Sequence, residues 1–342
     1  MTNLVIGLLS ATLSTNQPDW QTNTVAPTVP SNTVAALELP KFSGTNADAE
    51  LQKLMDADDA AHTEVDGWIK ENMEFASKGA PIPQNEMNER IFKRLQPIRE
   101  EYLAFINQYP SNAPARIAYA SFLDDMGESE EDAEVEQLEK ARELDPKNPA
   151  AWNQLANYYG HRGEVTNAFA YYTRASELDP TEPVYYWNFA TTIYLYRRDA
   201  MDFYHITEPQ VFDRSLELYA QALKLDPTNF VLATDLAESY YGIRPMRTND
   251  ALVAWTNALN VARSDVEREG VYIHFARVKT YDSYYDQSQA YINAVTNEIY
   301  KDIKVRLQKN LTRLENESRS NAMLNLHTNL LDAPGTKTVP VP

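Results

Sequence analysis

The 342-residue chain contains no cysteine, so a disulfide framework, a thiolate metal site and a cysteine nucleophile are all excluded. That absence leaves the compartment open, because a chain without thiols survives either redox poise. Glycine is scarce: 10 residues, roughly 3% of the chain against an average usage of about 7%. Few positions can then supply the left-handed backbone of tight turns, which points to a mostly helical protein. Cations are also short, with 31 Lys and Arg against 49 Asp and Glu and a formal net charge of −18. This balance argues against nucleic acid and against an anionic membrane as partners. What is present is apolar and aromatic. Hydrophobic residues make up 43% of the chain and tyrosine alone takes 21 positions, enough core for two ordinary domains or one elongated array.

Long apolar runs are missing as well. The N-terminal run Leu4-Val5-Ile6-Gly7-Leu8-Leu9, continuing to Leu13, is too short to cross a bilayer but has the length of a signal-peptide apolar region. No Lys or Arg precedes Lys41, so the positive flank is missing, and no A-x-A cleavage site follows. Residues 14–45 carry Pro18, Pro27, Pro30 and Pro40 among Thr, Asn and Ser, the composition of a flexible linker. Residues 1–13 read as a secretory signal with an atypical flank, which favours a secreted or periplasmic location. The alternative is an N-terminal tail on a cytoplasmic protein. No integral membrane span is expected.

Internal repetition decides the fold. Ala141-Arg-Glu-Leu-Asp-Pro-Lys-Asn-Pro149, Ala175-Ser-Glu-Leu-Asp-Pro-Thr-Glu-Pro183 and Ala222-Leu-Lys-Leu-Asp-Pro-Thr-Asn-Phe230 superpose, and Pro146, Pro180 and Pro227 stand 34 and 47 residues apart. A weaker copy, Tyr109-Pro110-Ser-Asn-Ala-Pro114, lies 36 residues before Pro146. Each reads as a helix ending at Leu-Asp, stopped by a proline that cannot continue it. Between Pro149 and Glu182, Trp152, Leu155, Ala156 and Tyr159 share one helix face, His161-Arg162-Gly163-Glu164 supplies a turn, and Ala168, Tyr172 and Ala175 form the facing seam.

In these positions the chain resembles the tetratricopeptide repeat family, a 34-residue helix-turn-helix unit. The preceding copy keeps Tyr119, Ala120, Leu123, Gly127, Leu138, Ala141 and Pro146. The following one keeps Pro183, Tyr186, Phe189, Ala190, Tyr219, Ala222 and Pro227, with 13 extra residues within Leu195 to Val211. A fourth keeps Leu236, Ala237, Tyr240, Trp255 and Ala258 but lacks the closing Leu-Asp-Pro. The resemblance implies an all-α, right-handed α-solenoid of tetratricopeptide units with flanking helical hairpins. The expected division is a signal and linker over 1–45, a helical hairpin over 46–112, and units over 113–148, 149–182, 183–229 and, degenerate, 230–264. A capping helix pair over 265–316 and a disordered tail over 317–342 complete it.

The flanks are helical outside the signature. Residues 46–78 form an amphipathic helix behind a Thr45-x-x-Asp48 capping pattern, ended by Pro81 and Pro83. A second helix over Asn85 to Gln108 contains Pro97, which should kink or break it. Ile292, Val295, Ile299, Ile303, Leu307, Leu311 and Leu314 fall at steps of 3 or 4 and predict one continuous C-terminal capping helix.

No catalytic pattern is found: the G-x-G-x-x-G, phosphate-loop, H-E-x-x-H and G-x-S-x-G motifs are all missing. His62, His161, His205, His274 and His327 are scattered without a metal-ligand spacing, so neither metal nor cofactor is expected. The acidic run Asp124 to Glu136 reads as a solvated turn, with capture of a basic partner as the rival. The basic face Lys301, Lys304, Arg306, Lys309 and Arg313 reads as solvated.

The resemblance places a partner-binding groove on the first helices of successive units. Carried across, its positions are Asn153 and Asn157, then Trp187, Asn188, Thr191 and Tyr194, then Thr234, Asp235, Glu238 and Tyr241. Amides can pair with a peptide backbone without reading its sequence, and Trp and Tyr supply contact area at low entropic cost. The family's carboxylate clamp for chaperone tails is not matched, since Asn153, Val231 and Asp235 stand where its cations belong. The expected function is a non-catalytic protein–protein scaffold or adaptor taking a peptide or helix. An accessory or specificity subunit of an enzyme complex is the alternative. A lesser one is an enzyme using Arg197, Arg198, Asp199, Asp202, Tyr204, His205 and Glu208 of the insertion, which otherwise reads as a loop covering the groove.

Overall fold

The computed structural model describes residues 46–331 apart from 78, 80 and 127–129, with side chains as far as 323. The N-terminal apolar run, the linker, Thr45 of the capping pattern and residues 332–342 lie outside them. Among the described residues the fold is all α, without a strand. No helix there is long and apolar enough to cross a membrane. The chain divides into two compact units, whose described parts are 46–225 and 226–331.

The first unit is a row of helical hairpins: α1 (Asn46–Ser77) with α2 (Gln84–Gln108), α3 (Ala113–Met126) with α4 (Glu131–Leu144), and α5 (Pro149–His161) with α6 (Val165–Leu178). The last pairs α7 (Pro183–Leu195) with α9 (Glu208–Leu225), and the insertion forms a short helix between them, α8 (Arg197–Tyr204). The repeated motif does the same local work each time. After the Leu-Asp stop, the aspartate folds the turn: Asp145 Oδ1 accepts from Lys147 N–H at 3.2 Å and Asp179 Oδ1 from Thr181 N–H at 2.9 Å. The next helix opens on Pro149 or Pro183, where a missing N–H costs nothing, and Asn148 or Glu182 caps it from the preceding position.

A second regularity was invisible in the letters. The residue six places after Pro110, Pro146 and Pro180 donates back to that proline's carbonyl, whereas Ala233, six places after Pro227, has no side-chain donor. Trp152 Nε1 reaches Pro146 O at 2.9 Å, Tyr186 Oη reaches Pro180 O at 3.4 Å and Arg116 Nη2 reaches Pro110 O at 2.9 Å. Three different donors therefore tie these three turns to the helices they launch. Inside the hairpins the alanine seams close fully: Ala141, Ala156, Ala168, Ala175, Ala190 and Ala222 are all buried. The absent side-chain bulk lets backbones approach, and Phe169, Tyr172 and Phe189 fill the wider gaps.

Two expectations for this unit change. Of the kink or break expected at Pro97, the break does not occur, and α2 runs through it. Its ring is exposed, while its neighbours Leu95 and Ile98 are buried in the core. The insertion does not cover the first-helix face. Ala200 is buried, and Phe203 and Tyr204 lie 5.5 and 5.8 Å from Phe169 of α6. The helix α8 thus packs on α6, α7 and α9. Its apolar side needed a core, and the second helices offered one.

The second unit comprises α10 (Phe230–Ser239) with a 3₁₀ turn at Tyr240–Gly242, α11 (Thr248–Val261), α12 (Asp265–Tyr281), α13 (Tyr285–Ala294), a 3₁₀ turn at Glu298–Tyr300, and α14 (Lys301–Leu331). Where the Leu-Asp-Pro signal is missing, a capping box at Ser264 and Glu267 starts α12 instead. The expected continuous C-terminal stripe is broken between α13 and α14. Glu269 of α12 is the cause: its carboxylate accepts from Thr296 N–H at 2.7 Å, Thr296 Oγ1 at 2.8 Å and Asn297 N–H at 2.7 Å. Those donors hold its pKa below the usual carboxylate value despite the desolvation that opposes them. With these backbone groups claimed from outside, the helix stops and restarts. Val295 and Ile303 still reach the core with Ile273 and Tyr300, but Ile299 is left exposed. The tail expected to be disordered from 317 is helical as far as Leu331.

Candidate functional site

On α5 and α7 the first helices of adjacent hairpins place the expected residues at different depths. Asn153 is buried, not presented: its Oδ1 accepts from Asn188 Nδ2 across 3.4 Å. Thr191 and Tyr194 are also core residues. The Thr191 hydroxyl bonds the Tyr219 hydroxyl at 2.8 Å, and Tyr194 packs on Phe212 at 5.8 Å, so both hold α9 to α7. Their helix positions match the groove pattern, but α9 covers that flank. Asn157, Trp187 and Asn188 remain half-buried and reachable. Asn157 is committed to the fold: its oxygen accepts from Tyr172 Oη at 2.7 Å and its amide donates to Gln154 Oε1 at 3.1 Å.

In the second unit Thr234, Asp235, Glu238 and Tyr241 are all half-buried on α10 and its closing turn. Thr234 Oγ1 donates to its own helix at Val231 O, 2.7 Å away. Glu238 and Tyr241 meet α12. Tyr241 Oη lies 3.1 Å from His274 Nδ1, and Glu238 Oε1 lies 3.7 Å from His274 Nε2. The imidazole stacks on Trp255 of α11, centroids 3.9 Å apart and planes at 16°. Burial, with the Arg277 guanidinium nearby, pushes its pKa well below the ordinary histidine value. Sequence reasoning missed His274, Arg277 and Trp255 as members of this group. A signal existed: His274 and Arg277 stand 36 residues after Glu238 and Tyr241, close to the repeat spacing.

The remaining charged groups are mostly occupied. In the acidic run, Glu130 takes Arg99 through two bonds of 2.8 and 3.2 Å, Glu131 pairs with Arg162, and Glu136 pairs with Lys140. Glu134 is buried, and desolvation, with Asp124 nearby, pushes its carboxyl up to about 8. The run is thus largely a set of internal ties. Nearby, His62 of α1 lies 3.2 Å from Asp58, which also accepts from Tyr102 Oη at 2.8 Å. In the insertion, Arg197 pairs with Glu208, Arg214 sits over Tyr204, and His205 is exposed, so these groups do not assemble as an acid–base set. On α14, Lys301 and Arg313 pair with Glu298 and Glu317. Among the described residues no group of three His, Asp or Glu has metal-ligand geometry.

No protein-family model matches the sequence, and no curated protein does. Solved structures align with its fold at low identity. YrrB, described as a TPR protein with an unusual peptide-binding site, covers 62% of this chain and 99% of its own at 13% identity and TM-score 0.47. PilW, described as a widely conserved type IV pilus biogenesis factor, covers 64% and 95% at 12% identity and TM-score 0.48. PilF of Pseudomonas aeruginosa covers 72% and 99% at 15% identity and TM-score 0.43. The chain's own hairpins, launched by Leu-Asp-Pro turns and closed by alanine seams, have the tetratricopeptide fold.

Proposed function

We propose that this protein is a non-catalytic scaffold or adaptor that holds an extended peptide or a partner's helix against the first helices of its hairpins. The observation that carries the reading is the trio Trp187, Asn188 and Asn157, half-buried on adjacent first helices. An indole offers a large apolar contact surface, and the Asn188 amide, held by only a 3.4 Å bond to Asn153, can turn towards a ligand backbone. The dispersal of the insertion's charged groups into separate pairs supports a binding role over catalysis. Affinity capture from the native source with the parent and with Trp187→Ala tests it. A polypeptide retained by the parent and lost with the variant supports the proposal; a stoichiometric small molecule in its place overturns it.

A further inference from the structure

The first hairpin is taller than the second. Tyr109 Oη meets Glu50 at 3.0 Å and the His62 ring lies 5.9 Å from Phe122, so α1 and α3 run in the same direction. Four residues after Phe122, α3 ends at Met126, whereas α1 continues to Ser77. Ile69 and Met73 follow His62 by 7 and 11 residues. They therefore continue its face of α1, about 10 and 16 Å further along. The same step occurs on α2. Arg99 reaches Glu130, which immediately precedes α4. Phe92, 7 residues back from Arg99, carries that face about 10 Å beyond this point. Arg90, stacked on Trp68 at 3.7 Å, holds the two helices side by side at this level. The overhang is a ledge of large apolar side chains. Met73 is 70% exposed and Phe92 52%, and Ile69 is exposed as well, so no described residue covers them.

We propose that this ledge is the docking site of the chain's own N-terminal apolar run, Leu4 to Leu13. The proposal takes the second reading of that run, as a tail kept on the working protein, and no A-x-A site follows it to mark its removal. A retained run and an uncovered ledge are two apolar surfaces in one chain, and water is excluded from both when they meet. The tether fits. Asn46, where the linker joins α1, stands 23 and 27 residues before Ile69 and Met73, a span of about 35–40 Å along the helix. The 32 residues of 14–45 have a root-mean-square reach of roughly 30 Å as a flexible chain. A tether whose reach is close to the span holds its end near the site at close to the highest effective concentration. The run has no charged side chain, so the net charge of −18 does not repel it. An anionic membrane is the poorer home for it, because the whole acidic chain would have to follow. The ledge uses none of the groove positions and stands whether or not the groove holds a peptide.

The absence of cysteine makes the test clean, since Ser14→Cys gives one nitroxide position at the end of the run. The full chain carries that label and ¹³C-methyl methionine, with the Met73 signal identified by its loss in Met73→Leu. The nitroxide should broaden Met73 severalfold more than Met55, although Met55 lies on the same helix nearer the tether. Ile6→Glu with Leu9→Glu, which leaves the helices untouched, should bring Met73 down to the level of Met55. Ile69→Ser with Phe92→Ser, both at exposed positions, should do the same from the side of the ledge.

Equal broadening of Met73 and Met55, or a selective effect that survives both double variants, overturns the docking. Mixing nitroxide-free ¹³C chain with labelled ¹²C chain reads contacts between copies. Met73 broadened at full strength in that mixture assigns the ledge to a second copy and overturns the internal site, whereas its loss there supports the internal site. Protein from the native source that begins beyond Leu13 overturns the proposal too, because the occupant is then gone.

Discussion

The Tyr172 hydroxyl donates to the Asn157 amide oxygen across 2.7 Å, joining the second helix of a hairpin to its first. Tyr172 is buried, and Thr192 of the next hairpin donates to the same hydroxyl at 3.3 Å. A residue on the proposed binding face is therefore also a structural tie. Asn157→Ala should lower stability by about 1–3 kcal/mol, because it strands a buried hydroxyl proton. Asn188→Ala gives up only the long 3.4 Å bond to Asn153, so it should cost less stability than Asn157→Ala, and about 1 kcal/mol of peptide affinity. Thermal melts beside binding curves separate the two, and an Asn157 variant that melts like the parent would refute the tie.

Trp187→Ala should cost on the order of 2 kcal/mol of partner affinity, the scale of an interface aromatic anchor. The loss should be equal at low and moderate salt, since no charge is removed. Capture of a basic partner by the acidic run predicts instead a steep salt dependence and indifference to Trp187. The pairing of Glu130, Glu131 and Glu136 with cations of the same chain already weakens that rival.

Gly270 has no spare room: a Cβ there would stand 2.9 Å from the Tyr300 hydroxyl. That hydroxyl bonds Val266 O at 2.8 Å and anchors the turn before α14. Gly270→Ala should destabilise the second unit by about 1–3 kcal/mol, as overpacking does. In a Tyr300→Phe background the same change should cost little, because the clashing oxygen is gone. Chemical denaturation of the four proteins in this cycle checks the coupling; additive losses would disprove the clash.

The Glu134 carboxyl titrates near 8 in the fold against about 4.5 when exposed, so the folded state holds its proton longer than the unfolded one. Its favourable contribution is then complete below pH 4.5 and lost progressively as pH rises towards 8. Relative to the parent, Glu134→Gln should be neutral at pH 4 and more stable by roughly 1–3 kcal/mol at pH 8. A difference that does not grow over that range would show that the carboxyl is not protonated in the fold.

Truncation before Lys301 removes Ile303 and Leu311 from the groups formed with Ile273, Val295, Ala276 and Ile292. The second unit should then melt earlier and bind apolar dyes, as a stack without its terminal cap does. An unchanged, cooperative transition would deny α14 its capping role.

The repeats were legible because their information is local. Leu-Asp-Pro stops a helix, a proline or capping residue starts the next, and alanines at fixed spacing mark the close approach. The failures share a different cause. The end of α13 is imposed by Glu269, 27 residues away from Thr296, and no local pattern announces a carboxylate reaching across. Thr191 and Tyr194 carry the groove pattern on α7, but α9, displaced along the chain by the insertion, determines that they are covered. Asn157 and Asn188 lie on first helices, but only contacts in three dimensions show that Asn157 is tied by a short bond and Asn188 by a single long one.

The hairpin order within the first unit bears on how the protein is made. Each hairpin finds its packing partner in the one just before it or just after it in the chain, with only a short stretch between. A nascent chain leaving the ribosome N-terminus first can therefore close each layer as soon as the next stretch emerges, without waiting for distant sequence. Synthesis and folding can proceed at the same pace, with one apolar face open at a time.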